Sequence, residues 1–477
     1  MTSSPAEPVP ASAVARPRRP ADPTGPAGIG GGSDRAEERR NHRLGVLNGA
    51  FFQAGEGFID STTVIPVFVS RLTSSSALIG LCASLGDVGW FLPQFAVAPW
   101  LARFPRLLWL YRRAAVVRAL ALGLLAALTI PLARTHPGAL LGVFLACYGV
   151  YSFGAGVAAI PFVEVVSKTI PRERLGAYWS QRLFWGGLLA AGAGLAVREV
   201  SRLEDAGVRY AILFGLAMVL VSVGYALFSA IREPAGPPGE AAATPLGHLR
   251  EGWGLLRRDP PFRRLFLARA SLSLWLTASP FMVLFAVRDL SGGPRAAGSF
   301  LFARVAGFVL SNLAWQPLSR RYGNRALLRI TSLGCSAVAL AAAAVAVASP
   351  WSLGWLTAGA SVLALEAIAC AGGAVQSGMI VGFASLLIEL APHGRRHSFV
   401  SLMNSFLGLT MLLPALGGAL VDWLNAPVVF ALCATAALFG YRAASGLPDR
   451  AGVAARGIPP EALAEPTSRV GPGGGGR

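Results

Sequence analysis

The sequence predicts an all-α membrane protein of twelve membrane-spanning helices, arranged as two six-helix halves that repeat one another. Three observations carry this expectation. Of 477 residues, 54% are hydrophobic and only 14% charged, with a mean hydropathy of +0.54, whereas a soluble domain carries about 25% charged residues. Apolar runs of about 20 residues recur along the chain, each long enough to cross about 30 Å of hydrocarbon as a helix. The second half also repeats features of the first.

Taken in order, residues 1–43 are rich in Pro, Ala and Gly without an apolar core, and are expected to form a disordered tail rather than a signal or transit peptide. The first half, 44–231, holds runs near 44–70, 77–101, 112–133, 138–166, 177–198 and 208–231. Residues 232–263 form the longest internal connection. Its opening, "REPAGPPGEAAATP", reads as a flexible linker. In the following "LGHLREGWGLLRR", Leu246, Leu249, Trp253 and Leu256 share one helical face backed by Arg. That pattern suits either a helix lying on an anionic leaflet or a solvated linker. The second half, 264–446, holds runs near 264–288, 296–318, 326–348, 353–390, 398–423 and 426–446. The tenth run is too long for one straight span, and Gly372, Gly373 and Gly378 within it predict a bend or a cytosolic extension. Residues 447–477 are expected to form a second disordered tail.

Charge sets the expected orientation. The net charge of +18 would suggest nucleic acid in a soluble protein, but here the cations cluster between apolar runs. With the N-terminus inside, 22 cations fall on the cytosolic side, among them Arg35, Arg112, Lys168, Arg257 and Arg264. Seven fall outside: Arg71, Arg134, Arg198, Arg202, Arg209, Arg288 and Arg295. The positive-inside rule then puts both termini in the cytoplasm of a multi-pass protein of the cell membrane. Lys168 is the only lysine, and it follows Ser167, so no Gly-Lys-Ser/Thr phosphate loop exists. No G-x-S-x-G occurs, and the five cysteines fall singly in apolar runs as small core residues. "ELAPHGRRH" spaces Glu389, His393 and His397 by four, yet Pro392, Gly394 and two Arg make it a charged loop rather than a metal site. Neither an enzyme, a cofactor nor a bound metal is expected.

A shift of 218 residues aligns Gly89 with Gly307, Gln94 with Asn312, Pro99 with Pro317, Arg103 with Arg321 and Phe104 with Tyr322. A shift of 221 brings both "IPRERLGAYWS" and "APHGRRHSFVS" to P-x-x-R-x-x-x-[YF]-x-S, with Arg174 over Arg395. The loop "QPLSRRYGNRALL" and its partner "APWLARFPRLL" resemble the signature G-x-L-A-D-R-x-G-x-R of the major facilitator superfamily, and over about 44–446 the chain resembles that superfamily. Arg321, Gly323 and Arg325 match in the second loop and Arg103 in the first. The signature Asp is replaced by Ala102 and Arg320, and its first Gly by Ala98 and Gln316, so no ion pair resting on that Asp carries over. In helix 11, "LLPALGG" echoes the P-x-x-G-G part of an antiporter motif that belongs on helix 5; ordinary close packing through Gly417 and Gly418 is the other reading.

Candidate working residues are the polar groups inside apolar runs. Gln53, Glu56, Asp60 and Thr63 are spaced as one stripe of helix 1. A polar stripe is expected to face the bundle interior or a wet cavity, and the resemblance implies that helix 1 borders a central one. The two acids either bind protons or a cationic substrate, or form internal pairs with a buried arginine that only fixes packing. Asp60 is preferred for proton exchange, because it lies nearer the outer mouth beside Ser61 and Thr62. Arg118, Arg269 and Arg304 are the candidate partners. Asp87 lies one position from Arg304 in the repeat register, so the two could approach across the halves, although separate pairs within each half are preferred. Glu366, aligned with Cys370, Gly373 and Ser377, is a third acid, on a helix that the resemblance places at the cavity. Glu164 and Glu389, close to Arg174 and Arg395, read as latches in the repeated loops. "GWFLPQ" places Trp90, Pro93 and Gln94 in helix 2, where the proline should kink the helix. Tyr148, Tyr151, Trp275, Thr277 and Ser279 are expected to supply cavity aromatics and hydroxyls.

The resulting expectation is a secondary transporter, monomeric, moving a small organic molecule by alternating access. Proton coupling is preferred to sodium, and export to uptake. A non-transporting receptor or scaffold that keeps the fold is the rival class.

Overall fold

Hydrocarbon offers no water to bond the backbone, so an apolar run crossing it must satisfy its own amides, and a helix does this within one segment. The computed structural model describes residues 31–101, 103–236, 245–391 and 396–448, and every regular element among them is a helix. The first part holds α1 (Gly31–Phe58), α2 (Val64–Val69), α3 (Ser76–Leu101), α4 (Leu108–Thr135), α5 (Pro137–Thr169), α6 (Arg172–Val200) and α7 (Ala206–Ser229). α8 (Pro245–Arg258) lies between the parts. The second part holds α9 (Pro260–Trp275), α10 (Ala278–Arg288), α11 (Arg295–Tyr322), α12 (Asn324–Ala348), α13 (Ala358–Leu390), α14 (Arg396–Thr410), α15 (Leu413–Trp423) and α16 (Ala426–Ser445).

Ten stretches among the described residues are long and apolar enough to span a membrane, with α9 and α10 counted together. The expected spans 44–70 and 398–423 are not among them. The first is interrupted after Phe58 and is rich in polar groups; the second divides into α14 and α15 at Met411–Leu412. Around the bundle, Val116, Leu120, Leu124, Leu363 and Phe439 face outward, which suits a multi-pass membrane protein rather than one surrounded by water.

The two parts pack by the same plan. α3 lies on α5, α4 on α5 and α7, and α1 on α7; correspondingly α11 lies on α13, α12 on α13 and α16, and α9 on α16. Contacts between the parts run along α6–α11 and α3–α15. The repeat also holds at single atoms. A methyl group on Gly89 of α3 would overlap Ser152 of α5, and one on Gly307 of α11 would overlap the Cys370 carbonyl of α13. In return, Gly156 of α5 abuts the Gly89 and Trp90 carbonyls, as Gly373 of α13 abuts the Arg304 carbonyl. One turn further on, Gln94 donates to the Trp90 carbonyl at 2.6 Å, and Asn312 donates to the Phe308 carbonyl at 2.7 Å. Each half thus brings its two cavity-side helices to backbone contact through paired glycines.

α13 runs as one helix of 33 residues through Gly372, Gly373 and Gly378, two of which serve close contact, Gly373 with Arg304 and Gly378 with the Trp315 ring. One expectation is corrected here. The opening of the linker is packed, not free: Glu233 accepts from Leu107 N (2.9 Å), Leu108 N (2.8 Å) and Lys168 Nζ (3.1 Å). Its carboxylate satisfies amides at the start of α4, where Leu107 offers no side-chain cap. Residues 237–244 lie outside the described residues. α8 is a helix whose Gly252 and Leu256 face the bundle, Gly252 abutting Phe406 and Leu402 of α14, while Trp253 is exposed beneath Arg257.

Gly307→Ala should destabilise the purified protein by about 1–3 kcal/mol, the ordinary cost of overpacking a filled interior. Gly142→Ala, where a methyl meets nothing within 4 Å, should leave the melting temperature unchanged or raise it. Thermal unfolding in detergent compares the two directly.

Candidate functional site

The break after Phe58 is built by Asp60. Its Oδ1 accepts from Thr62 N (3.0 Å), Thr62 Oγ1 (2.6 Å) and Thr63 Oγ1 (3.0 Å). Such a local turn competes with the helix for the same amides, so α1 stops and α2 begins only at Val64. Asp60 therefore leaves the helical stripe expected with Gln53, Glu56 and Thr63. Its Oδ2 accepts from Arg304 Nη2 of α11 at 2.5 Å, a pair that joins the two halves. A matching break at Leu276–Thr277 separates α9 from α10.

Glu56, one turn earlier, serves a different arginine. Its Oε1 accepts from Arg118 Nη2 of α4 at 3.0 Å and from the Tyr151 hydroxyl of α5. Arg118 is 1% exposed and also donates to the Tyr225 hydroxyl of α7. Its guanidinium carbon lies 3.9 Å from the Tyr151 ring centre and 5.4 and 5.2 Å from those of Phe52 and Tyr225. The two acids thus neutralise separate cations instead of facing each other. Tyr225 was invisible as a site residue in the sequence, because one tyrosine in an apolar run carries no spacing signal.

These groups border one cavity of about 1040 Å³. Its wall includes Gln53, Glu56 and Asp60, Asp87 and Trp90 of α3, Arg118, Tyr148 and Tyr151, and Arg304, Asn312, Trp315 and Arg320 of α11. On the side away from α8 the halves close together. A methyl on Gly194 of α6 would press on Phe302 of α11, and one on Gly298 would overlap Arg198. Arg288 donates to the Ser70 and Thr73 carbonyls, and Asp422 accepts from Ser76 N (3.0 Å) and Ala77 N (3.3 Å). On the α8 side, α6 and α11 part, and Ser180, Leu183 and Phe184 face Leu313, Gln316 and Ser319 across the cavity. The cavity opens toward the side where α1 begins.

The remaining candidates fall elsewhere. Arg304 bonds Asp60 and not Asp87, so the cross-half pair uses another acid than the repeat register suggests. Glu366 is outside the cavity wall, beside Ser299 and Arg198. Trp275 and Thr277 are buried at the α9–α10 break, followed by Ser279, also outside the wall. Arg174 pairs with Glu38 at 2.8 Å and Glu164 with Lys168 at 3.3 Å, so these two do not latch to each other. Glu389 accepts from Asn324 at 2.5 Å; Arg395 lies outside the described residues. Arg103 and Arg321 are exposed, the latter 5.3 Å over Tyr322. Arg325 donates to the Ser445 carbonyl at 2.6 Å. Gly323 has φ 83°, a left-handed hinge between α11 and α12 that suits glycine. Gly417 and Gly418 of α15 abut Thr277 and Ser76, which is close packing. Among the described residues, no three His, Cys, Asp or Glu could hold a metal ion.

The profile of the Major Facilitator Superfamily matches residues 186–409 and 280–462. An uncharacterized protein of Mycobacterium tuberculosis is 25% identical over 430 residues, covering 86% of this chain and 77% of that protein. Among solved structures, a bacterial homologue of the iron transporter ferroportin, inward-facing, has a TM-score of 0.65 at 17% identity and covers 85% of this chain and 98% of that one. A POT family transporter in complex with a thioalcohol-conjugated peptide gives 0.63 at 13% identity, over 84% and 94%. The xylose transporter XylE from E. coli, partially occluded and inward open, gives 0.59 at 12% identity, over 86% and 100%. At these identities the likeness is one of fold.

Removing one partner of a buried ion pair costs about 3–5 kcal/mol when the other charge stays uncompensated. The Glu56 side chain is 37% exposed, whereas that of Arg118 is only 1% exposed. Arg118→Met with Glu56→Gln should therefore be more stable than Glu56→Gln alone, which strands the arginine. Melting temperatures of the two variants check this; equal values would mean that the aromatic cage alone sustains Arg118.

Proposed function

The chain belongs to the Major Facilitator Superfamily, and from that premise we propose that it is a secondary active transporter moving a small organic solute by alternating access. In this reading α1 with α2, and α14 with α15, complete twelve spans. Both termini and α8 face the cytoplasm, following the cation asymmetry of the connections, and the cavity is then open inward.

The observation that carries the mechanism is the Asp60–Arg304 pair at the closed end of the cavity. Opening the far side requires α11 to withdraw from the α1–α2 break, and this separates the two charges. Uncompensated charges are costly at that depth, so a proton on Asp60, or a group of the solute, can compensate as the pair parts. This ties the ion gradient to the rocking of the halves. Aromatic faces (Phe52, Trp90, Phe184, Phe308) beside amides and hydroxyls suit a partly hydrophobic solute, which favours export; symport would run on the same parts. The replacement of the signature Asp by Ala102 and Arg320 favours the second reading, a fold kept without transport. Gradient-dependent flux in proteoliposomes would rule that second reading out.

Reporter fusions at Ala241 and at Arg477 should both report the cytoplasm, and an external signal from either contradicts the twelve-span topology.

Asp60→Asn keeps an acceptor for Thr62 and Thr63 but removes the charge that faces Arg304. Proton-driven flux should fall by roughly tenfold or more, equivalent to about 1.4 kcal/mol or more in the rate-limiting barrier. Solute exchange without net flux should stay measurable. Full proton-driven flux in both Asp60→Asn and Glu56→Gln would reduce these acids to structural parts.

A further inference from the structure

Three carboxylates reach the cavity, and their surroundings differ. Glu56 is matched by Arg118 and Tyr151, and Asp60 by Arg304 and three donors of its own turn. Asp87 has neither a hydrogen bond nor an ion pair within 4 Å among the described residues. It sits eleven residues along α3 from Ser76, about 16 Å into the membrane at 1.5 Å per residue, and its side chain opens into the cavity.

Two cations of the facing half act on Asp87 through space without bonding it. Arg269 of α9 donates to Ser273 Oγ at 3.2 Å and lies 5.8 Å over Phe383; Arg304 is held by Asp60. Beside Asp87, an incoming anion would compete with Asp60 for Arg304. An incoming cation meets a carboxylate that makes no hydrogen bond and no contact ion pair among the described residues.

The groups around Asp87 suit such a cation. Trp90, three residues on, falls on the same face of α3, and its side chain is exposed to the cavity. An indole face attracts ammonium groups by about 0.5–2 kcal/mol depending on desolvation. Gly86 leaves the Tyr148 hydroxyl uncovered, since a methyl there would stand 3.1 Å from that oxygen and 3.8 Å from Ser61 Cβ. Asp87, Trp90, the Tyr148 hydroxyl and Ser61 therefore border the cavity around Gly86, where the wall has no side chain of its own.

We propose that Asp87 anchors the cationic group of the transported solute, an organic amine or quaternary ammonium, with Trp90 as its π-face and Tyr148 and Ser61 beside it. This rests on the transporter reading of the same cavity and names its substrate class.

Equilibrium dialysis of the purified protein in detergent against benzyltrimethylammonium, with phenylacetate as the anion of comparable size, tests it. The parent should bind the cation at least about tenfold more tightly than the anion. Asp87→Asn should weaken the cation by about tenfold or more and leave the anion unchanged; each tenfold corresponds to about 1.4 kcal/mol. Asp87→Glu should retain most of the affinity, and Trp90→Ala should lose part of it while eluting as a monodisperse folded species. The assignment is overturned if the folded parent fails to bind the cation, if it prefers phenylacetate, or if Asp87→Asn binds the cation like the parent. Counterflow of the same cation in proteoliposomes separates the two readings. Binding that depends on Asp87 without any flux supports the site and overturns transport; flux indifferent to Asp87→Asn supports transport and overturns the site.

Discussion

The Asp60–Arg304 ion pair is the constraint on which the rest of the cavity depends. It joins the first half to the second, at the end of the cavity where the halves also meet backbone to backbone. Neither charge is tolerable alone at that depth, so the pair holds α11 against the α1–α2 break. It also explains the break itself. A carboxylate bonded to Thr62 and Thr63 cannot stay on a helix, and leaving the helix is what lets it reach across to Arg304.

Around this latch, rigidity and freedom are unevenly divided. Within each half, the glycine pairs Gly89–Gly156 and Gly307–Gly373 bring two helices to backbone contact and leave them little room to slide. Between the halves, α6 and α11 touch only over their far portions and part toward α8. Contacts of this kind suit the rocking of two stiff bodies proposed above, in which Asp60–Arg304, Arg288 and Asp422 would be the polar contacts to open. The buried Arg118 cage belongs to one body, since Glu56, Tyr151 and Tyr225 all come from the first half. It shapes the cavity wall and ties neither half to the other.

Much of this was legible in the sequence. Hydropathy is a property of composition and length, so the membrane class and most spans followed from apolar runs alone. The repeat was legible because close packing demands glycine at particular positions, and Gly89 and Gly307 recur at one spacing. Interrupted helices were harder. A run such as 44–70 reads as continuous by hydropathy, and only the competition between Asp60 and the helix for the same amides reveals the break. For the same reason Glu233 was hidden, since a carboxylate capping a helix more than a hundred residues away leaves no local mark.

By itself the sequence determined that Glu56, Asp60, Asp87, Arg118 and Arg304 are charges placed in hydrocarbon, and that each requires compensation. Which charge compensates which was decided by the tertiary structure. Ion pairing acts through space and is strongest at contact, whereas spacing along the chain reports only neighbours on one helix. In sequence Glu56 and Asp60 read as neighbours on one helical stripe. Folding turns one toward Arg118 and the other toward Arg304, and leaves Asp87 without a hydrogen bond or contact ion pair among the described residues.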